Sequence, residues 1–282
     1  MPEGKNLIDL MEKTPIIPNS LGIFGLGQLG VAIKGPETTI FIDPCLSNVL
    51  QDLFGDWWIR AFPPPLLPSD VSNVSYYFIS HEHPDHLDPI TVSTVANASR
   101  ETKFIAPKWC IDILTSLDVS RDRILTPDAL ETITLNGTSI KLTPVPSAHY
   151  QLEYDELKGY RYLGYIIEWN GVTFYHSGDT VIYPGYIEKL QNLPKPDVAM
   201  VPVNGRDWFR ESEADVIGNL LPMEAARLAK DMEWNVIIPA HNDLYPNNTI
   251  PMADIIDAFS TVSPRQKYKI LQPGELYYFV KQ

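Results

Sequence analysis

Residues 81–86 read His-Glu-His-Pro-Asp-His, and four of the six, His81, His83, Asp85 and His86, are the candidate metal ligands. They follow Val74–Ile79, an apolar stretch that reads as a buried strand. A single histidine after a strand is ordinarily a polar cap. Three imidazoles and a carboxylate packed this densely are costly to desolvate unless they are hydrogen-bonded or ligated. The chain is therefore expected to end a central strand in a metal site.

Three more ligand-type residues follow strand-like runs downstream. Ile140–Val145 leads to His149, Val172–Tyr175 leads through His176-Ser177-Gly178 to Asp179, and Asn235–Pro239 leads to His241. Four strand ends that each deliver a ligand are more specific than one motif, because α/β folds gather their sites at one edge of a sheet. Alone, His149 reads equally well as an ordinary histidine, and Asp179 as a turn closed by its own side chain.

The rest of the chain frames these segments. Ile23–Lys34 and Thr39–Asp43 read as strands joined by a turn at Gly35-Pro36-Glu37. Residues 1–20 read as a loose lead-in. Residues 47–70 read as a loop or short-helix insertion in which Trp57, Trp58 and Arg60 serve core or oligomer contacts, with a substrate wall as the alternative. Pro89–Ala98, Trp109–Leu117 and Pro222–Trp234 carry helical patterns, and strands dominate from Glu131 to Phe174. Gly25-Leu26-Gly27-Gln28-Leu29-Gly30 matches a dinucleotide-binding pattern, but no helix is expected after it, so it reads as a bend within a hairpin.

Composition narrows the partners. A net charge of −13 disfavours long nucleic acid. No apolar run reaches the roughly 20 residues of a membrane span. The first residues lack a secretory pattern, and two cysteines, Cys45 and Cys110, make no disulfide framework, so a reduced, cytoplasmic setting is expected.

The ordered set His-x-His-x-Asp-His, a distant His, an Asp after Ser-Gly and a late His resembles the metallo-β-lactamase superfamily. Gly22–Lys34 with Thr39–Pro44 is similar to its opening hairpin. Within it, His83–Asp88, Tyr175–Asp179 and Asn219–His241 resemble the ascorbate-6-phosphate lactonase-like branch. The resemblance implies an α/β chain folded over 1–282 as a single four-layer αββα domain. It implies one metal site of His81, His83 and His149, a second of Asp85, His86 and His241, and a bridging Asp179. Asp85, His86 and Asp179 are then the residues closest to the reaction. One or two divalent ions are expected, Zn²⁺ or Mn²⁺, since neutral imidazoles leave an open position for water and the second site is richer in oxygen.

The activity implied is hydrolysis of a lactone or related cyclic ester by metal-activated water. A phosphodiesterase acting on a phospholipid or short nucleotide and a non-hydrolytic metal-binding protein stand as alternatives. Arg206 and Arg210 are expected to grip an anionic small-molecule substrate. Asp43 reads as fixing the tautomer of a ligand imidazole or, equally, as a plain turn aspartate before Pro44. His176 reads as an orienting residue or a packed strand histidine. A homo-oligomer is compatible with all of this.

Overall fold

The computed structural model describes residues 1–72 and 74–282. Its chain forms two seven-stranded sheets. In the first, β1 (Ser20–Gly27), β2 (Gly30–Lys34) and β3 (Thr39–Ile42) run antiparallel, with Ile23 opposite Ile33 and Ala32 opposite Phe41. The order then turns parallel through β4 (Tyr76–Phe78), β5 (Lys103–Ile105) and β6 (Ile124–Leu125). The second sheet starts with β7 (Ile133–Thr134) and β8 (Lys141–Ser147). A small hairpin, β9 (Tyr154–Asp155) and β10 (Gly159–Tyr160), precedes β11 (Tyr162–Trp169) and β12 (Val172–His176), which pair antiparallel. Parallel strands β13 (Val198–Pro202), β14 (Val236–Ala240) and β15 (Lys267–Tyr268) complete it. The last strand, β16 (Leu276–Val280), returns to the first sheet beside β1.

Strand residues alternate between two cores, as the period of two requires. Ile23, Ile33, Ile42 and Phe78 from the first sheet meet Ile167, Phe174, Met200 and Ile238 from the second in one buried layer. The intervening Phe24, Ala32, Phe41 and Tyr77 face outward, under the helices α1 (Lys5–Lys13), α3 (Pro89–Ala98) and α4 (Ile111–Ser116). Between α1 and α3 lies α2 (Val49–Phe54), in the 47–70 insertion. Tyr175, Ala199 and Ile237 face α5 (Tyr186–Gln191), α7 (Pro222–Asp231) and α8 (Met252–Val262). A short α6 (Trp208–Ser212) lies between α5 and α7. Strands buried on both faces need near-continuous apolar sequence, which is why the runs before the ligand residues read so clearly. The result is the four-layer αββα sandwich.

Residues 1–20 are not the loose lead-in expected from their prolines. Leu7 and Met11, one helical turn apart, are buried against the first sheet, and that contact holds α1. The glycine pattern at 25–30 is a β1–β2 hairpin with an irregular register between Gly25 and Gly27, and Gln28 and Leu29 form its tip.

Candidate metal centre

β8, β12, β13 and β14 share one direction, so their carboxyl ends reach the same edge. His149, Asp179 and His241 leave from three of these ends, and the loop between β4 and α3 brings His81, His83, Asp85 and His86 from the other sheet. Ligand atoms of His81, His83 and His149 lie within 4.8 Å of one another, and so do those of Asp85, His86 and His241. A third such group, His81, His86 and Asp179, joins the two. Asp179 Oδ2 stands 3.4 Å from His86 Nε2, 3.3 Å from His149 Nε2 and 3.3 Å from His241 Nε2.

The motif loop is held by its own capping residue. Asp88 accepts from the backbone N–H groups of Ile90 and Thr91 at the start of α3, and its other oxygen accepts from Leu46 and Ser47. Asp43 accepts from the Ser80 backbone at 2.7 Å and from His86 Nδ1 at 2.9 Å. Ser80 Oγ donates to Asp43 and lies 2.9 Å from His81 Nδ1. With both Nδ1 atoms engaged, His81 and His86 turn their Nε2 atoms toward the cluster. His176 does not reach a ligand imidazole. Its Nε2 bonds the Leu29 carbonyl at 2.9 Å, and its Nδ1 accepts from Gly178, so it ties the hairpin tip to the Asp179 turn.

Several buried polar atoms in the cluster have no hydrogen-bond partner among the described residues. They are His81 Nε2, His86 Nε2, both nitrogens of His149, His241 Nδ1 and Asp179 Oδ1. Such groups are rare in folded proteins and costly when left so. A donor set of imidazole nitrogens and carboxylate oxygens, unpartnered and convergent, fits divalent cations.

The electrostatics divide the cluster. Burial, with His149 beside it, lowers the His83 imidazole to about 4, and burial with His86 and His83 lowers His81. Burial also works against protonation of His241, but Asp179 and Asp85 outweigh it and raise the group to about 9. His86 is raised against the same burial cost by Asp179, Asp85 and Asp43. Burial disfavours the Asp85 and Asp179 anions, yet the neighbouring imidazoles hold both carboxyls well below the usual range.

The turn that presents Asp179 depends on Gly178, at φ +65°. A β-carbon there would lie 2.7 Å from the Leu163 carbonyl oxygen and 3.0 Å from Ser80 Cβ. Beyond it, Asn219 Nδ2 donates to Asp179 Oδ2 at 3.2 Å and to Asn204 Oδ1 at 3.1 Å.

The two arginines expected to grip an anion are committed elsewhere. Arg206 makes a two-pronged pair with Glu224 at 2.7 and 2.8 Å and donates to the Asn219 carbonyl. Arg210 pairs with Asp207 and donates to the Asn204 carbonyl at 2.9 Å. Each donates to the backbone of an asparagine in the chain of contacts leading to Asp179.

Gln28 is the residue that sequence reading passed over. Its Nε2 donates to Asp85 Oδ2 at 2.7 Å and lies 3.1 Å from His241 Nε2. Its backbone carbonyl accepts from His241 N at 2.9 Å, and its N–H donates to Asp243. Gln28, Asp43 and His241 all adopt left-handed backbone conformations, at φ 56°, 47° and 63°. Such conformations cost free energy and tend to gather at functional sites. The only sequence signal for Gln28 was its place in a glycine-rich hairpin.

A cavity of about 420 Å³ opens onto His83, Asp85, His149, Asp179 and His241. A second cavity, of about 430 Å³, lies between residues 107–130 and the β9–β10 hairpin and contains none of the seven ligand-type residues. No helix among the described residues is long and apolar enough to cross a membrane.

Residues 38–242 match the family model described as a beta-lactamase superfamily domain. The chain is 22% identical to the probable L-ascorbate-6-phosphate lactonase UlaG of Escherichia fergusonii, over 94% of this chain and 81% of that protein. Among solved structures, a possible metal-dependent hydrolase from Veillonella parvula superposes with a TM-score of 0.71 at 18% identity, covering 93% of this chain and 99% of that one. Igni18, a metallo hydrolase from Ignicoccus hospitalis, gives 0.67 at 18% identity, covering 93% and 100%. With the family model spanning most of its length and the same sandwich carrying a convergent His/Asp cluster at one edge, the chain belongs to the beta-lactamase superfamily, on its metallo-hydrolase fold.

Proposed function

We propose that this member of a metallo-hydrolase superfamily opens a lactone or a related ester. The observation that carries the reading is the convergence of seven ligand-type side chains, several with unpartnered atoms, five of which line a substrate-sized cavity. In this reading His81, His83 and His149 would hold one divalent ion, Asp85, His86 and His241 would hold a second, and Asp179 would serve both. Zn²⁺ and Mn²⁺ both suit such donors. The ions supply Lewis-acid polarisation of the carbonyl and a water acidified toward neutral pH.

The chain's own groups set up that chemistry. Ser80 and Asp43 lock the tautomers of His81 and His86, so their Nε2 lone pairs stay turned to the cluster. Asn219 steadies the Asp179 carboxylate at the midpoint. The named lactonase relative, at 22% identity, supports the ester class without fixing the substrate.

A hydrolysis screen of lactones, linear esters and phosphodiesters, with Mn²⁺ and with Zn²⁺, tests the reading. Lactone or ester turnover is expected, with metal content falling and the rate dropping by about a hundredfold or more in Asp179→Ala while the fold is kept. Phosphodiester turnover without ester turnover would replace this function with the phosphodiesterase alternative. An unchanged rate in Asp179→Ala would remove Asp179 from the site.

A further inference from the structure

The sequence pointed to an anionic substrate; the side chains that line the cavity beside the cluster are mostly apolar or acidic. One wall is Leu50, Phe54 and Trp58, from α2 and the turn after it, and the facing wall carries Val216 and Ile217. Among the described residues that line it there is no lysine or arginine, while Asp215 adds an acid to the ligand carboxylates. The guanidinium of Arg210 touches the lining residue Asn248 but is already held by Asp207 and the Asn204 carbonyl.

The apolar wall is partly preformed. Trp58 packs edge to face on buried Tyr245, with centroids 5.5 Å apart, and Leu50 is buried beside it. Phe54 and Ile217 at the rim are 59% and 41% exposed, so apolar surface is left in water at the mouth of the site. A ligand that covers such surface gains from the hydrophobic effect. A phosphorylated substrate would meet carboxylates and aliphatic groups, with no side-chain cation to offset its desolvation.

We infer that the pocket selects an uncharged lactone bearing an apolar arm, the arm lying between the Leu50–Phe54–Trp58 wall and Val216–Ile217; this rests on the ester-hydrolase reading above. The reaction is ring opening by water. The oxygen of water bonds to the carbonyl carbon and the ring C–O bond breaks. One water proton ends on the released hydroxyl, and the other leaves the new carboxylic acid for solvent. A neutral substrate thus becomes an anion inside a cavity that has an extra carboxylate and no basic side chain, on a chain of net charge −13.

Three lactones with the same ring size test this on the metal-loaded full chain: δ-decalactone with its pentyl arm, unsubstituted δ-valerolactone, and phosphogluconolactone. The kcat/KM for δ-decalactone is expected to exceed that for either of the others by about tenfold or more, since each buried CH₂ contributes about threefold to fourfold. Phe54→Ala should cut the rate on δ-decalactone more than that on δ-valerolactone. Ile217→Lys, at an exposed rim position, should raise the phosphogluconolactone rate relative to δ-decalactone. Preference for phosphogluconolactone in the wild type, or equal rates with and without the arm, overturns the proposal.

The lactams of the first two rings, binding probes that turn over far more slowly, separate this test from the function itself. If no lactone is hydrolysed but the pentyl lactam still binds about tenfold tighter in a Phe54-dependent way, the ester reading fails and the apolar pocket stands. If lactones are hydrolysed and both lactams bind alike, the pocket proposal fails alone.

Discussion

Gln28 joins both sheets at the site through one residue: its amide donates to Asp85, from the first sheet's loop, and its carbonyl accepts from His241, at the end of β14. Both contacts depend on a left-handed backbone that a glutamine adopts only at a cost. The two effects separate in Gln28→Gly, which relaxes the backbone and deletes the amide. Thermal stability should hold or rise slightly. Affinity for a divalent ion at the Asp85, His86 and His241 group should fall about 10–100-fold, as it does when groups supporting a ligand are removed. Metal titration beside a melting curve checks this, and unchanged affinity would make Gln28 a turn residue only. Arg206 is the opposite case, a residue read by its type as an anion clamp whose guanidinium the fold already pairs. Since its guanidinium is bound to Glu224 and the Asn219 carbonyl, Arg206→Ala should lower kcat modestly and by the same factor for charged and neutral lactones. A KM effect confined to charged substrates would restore the anion clamp.

At the scale of elements, the site is a set of strand ends, and the turns after the strands decide its geometry. The turn after β12 is the tightest case. Gly178→Ala adds a methyl group against the Leu163 carbonyl at a positive φ, so the turn must shift and carry Asp179 with it. The expected result is a loss of about 1–3 kcal/mol, seen in denaturant unfolding, together with weaker metal binding. A destabilised variant that binds metal normally would show that the Asp179 turn can shift without moving the ligand. The strand ends were legible in the sequence because strands buried on both faces are written as unbroken apolar runs and the polar ligands interrupt them abruptly. The neighbours of the ligands were not legible. Gln28 sits 57 and 213 positions from its two side-chain partners, and nothing local marks that. Nor was α1, whose proline-flanked segment is short and gains its stability from Leu7 and Met11 on the sheet. Residues 251–282 carried no strong local signal, because β16 forms by pairing with β1 at the far end of the chain. The arginines after β13 were read by residue type; Glu224, 18 positions from Arg206, satisfies the first through a tertiary contact, and Asp207 satisfies Arg210 from one turn away.

Across the whole molecule, the cluster is a seam between the two sheets. His81, His83, Asp85 and His86 belong to the first, and His149, Asp179 and His241 to the second, so a bound ion fastens one half to the other. Without metal, protons do part of that work. Asp85 and Asp179 stay ionised, and protons on His86 and His241 neutralise them. The folded chain holds the His241 proton up to about pH 9, whereas the group's ordinary value is 6.5. Its stabilising contribution is therefore complete below pH 6.5 and is lost as pH rises through about 9, when buried carboxylates are left facing neutral imidazoles. Ligation by a divalent cation replaces those protons, so binding must release them and must strengthen as pH rises through this window. The expected outcome is a chelated protein whose melting temperature declines from pH 6.5 to 9, beside a metal-loaded protein whose melting temperature changes less, with the gap between them widening. Parallel curves for the two forms would mean that the histidine protons are not linked to the seam, and would remove the charge coupling between Asp85, Asp179 and His241 from the account of this site.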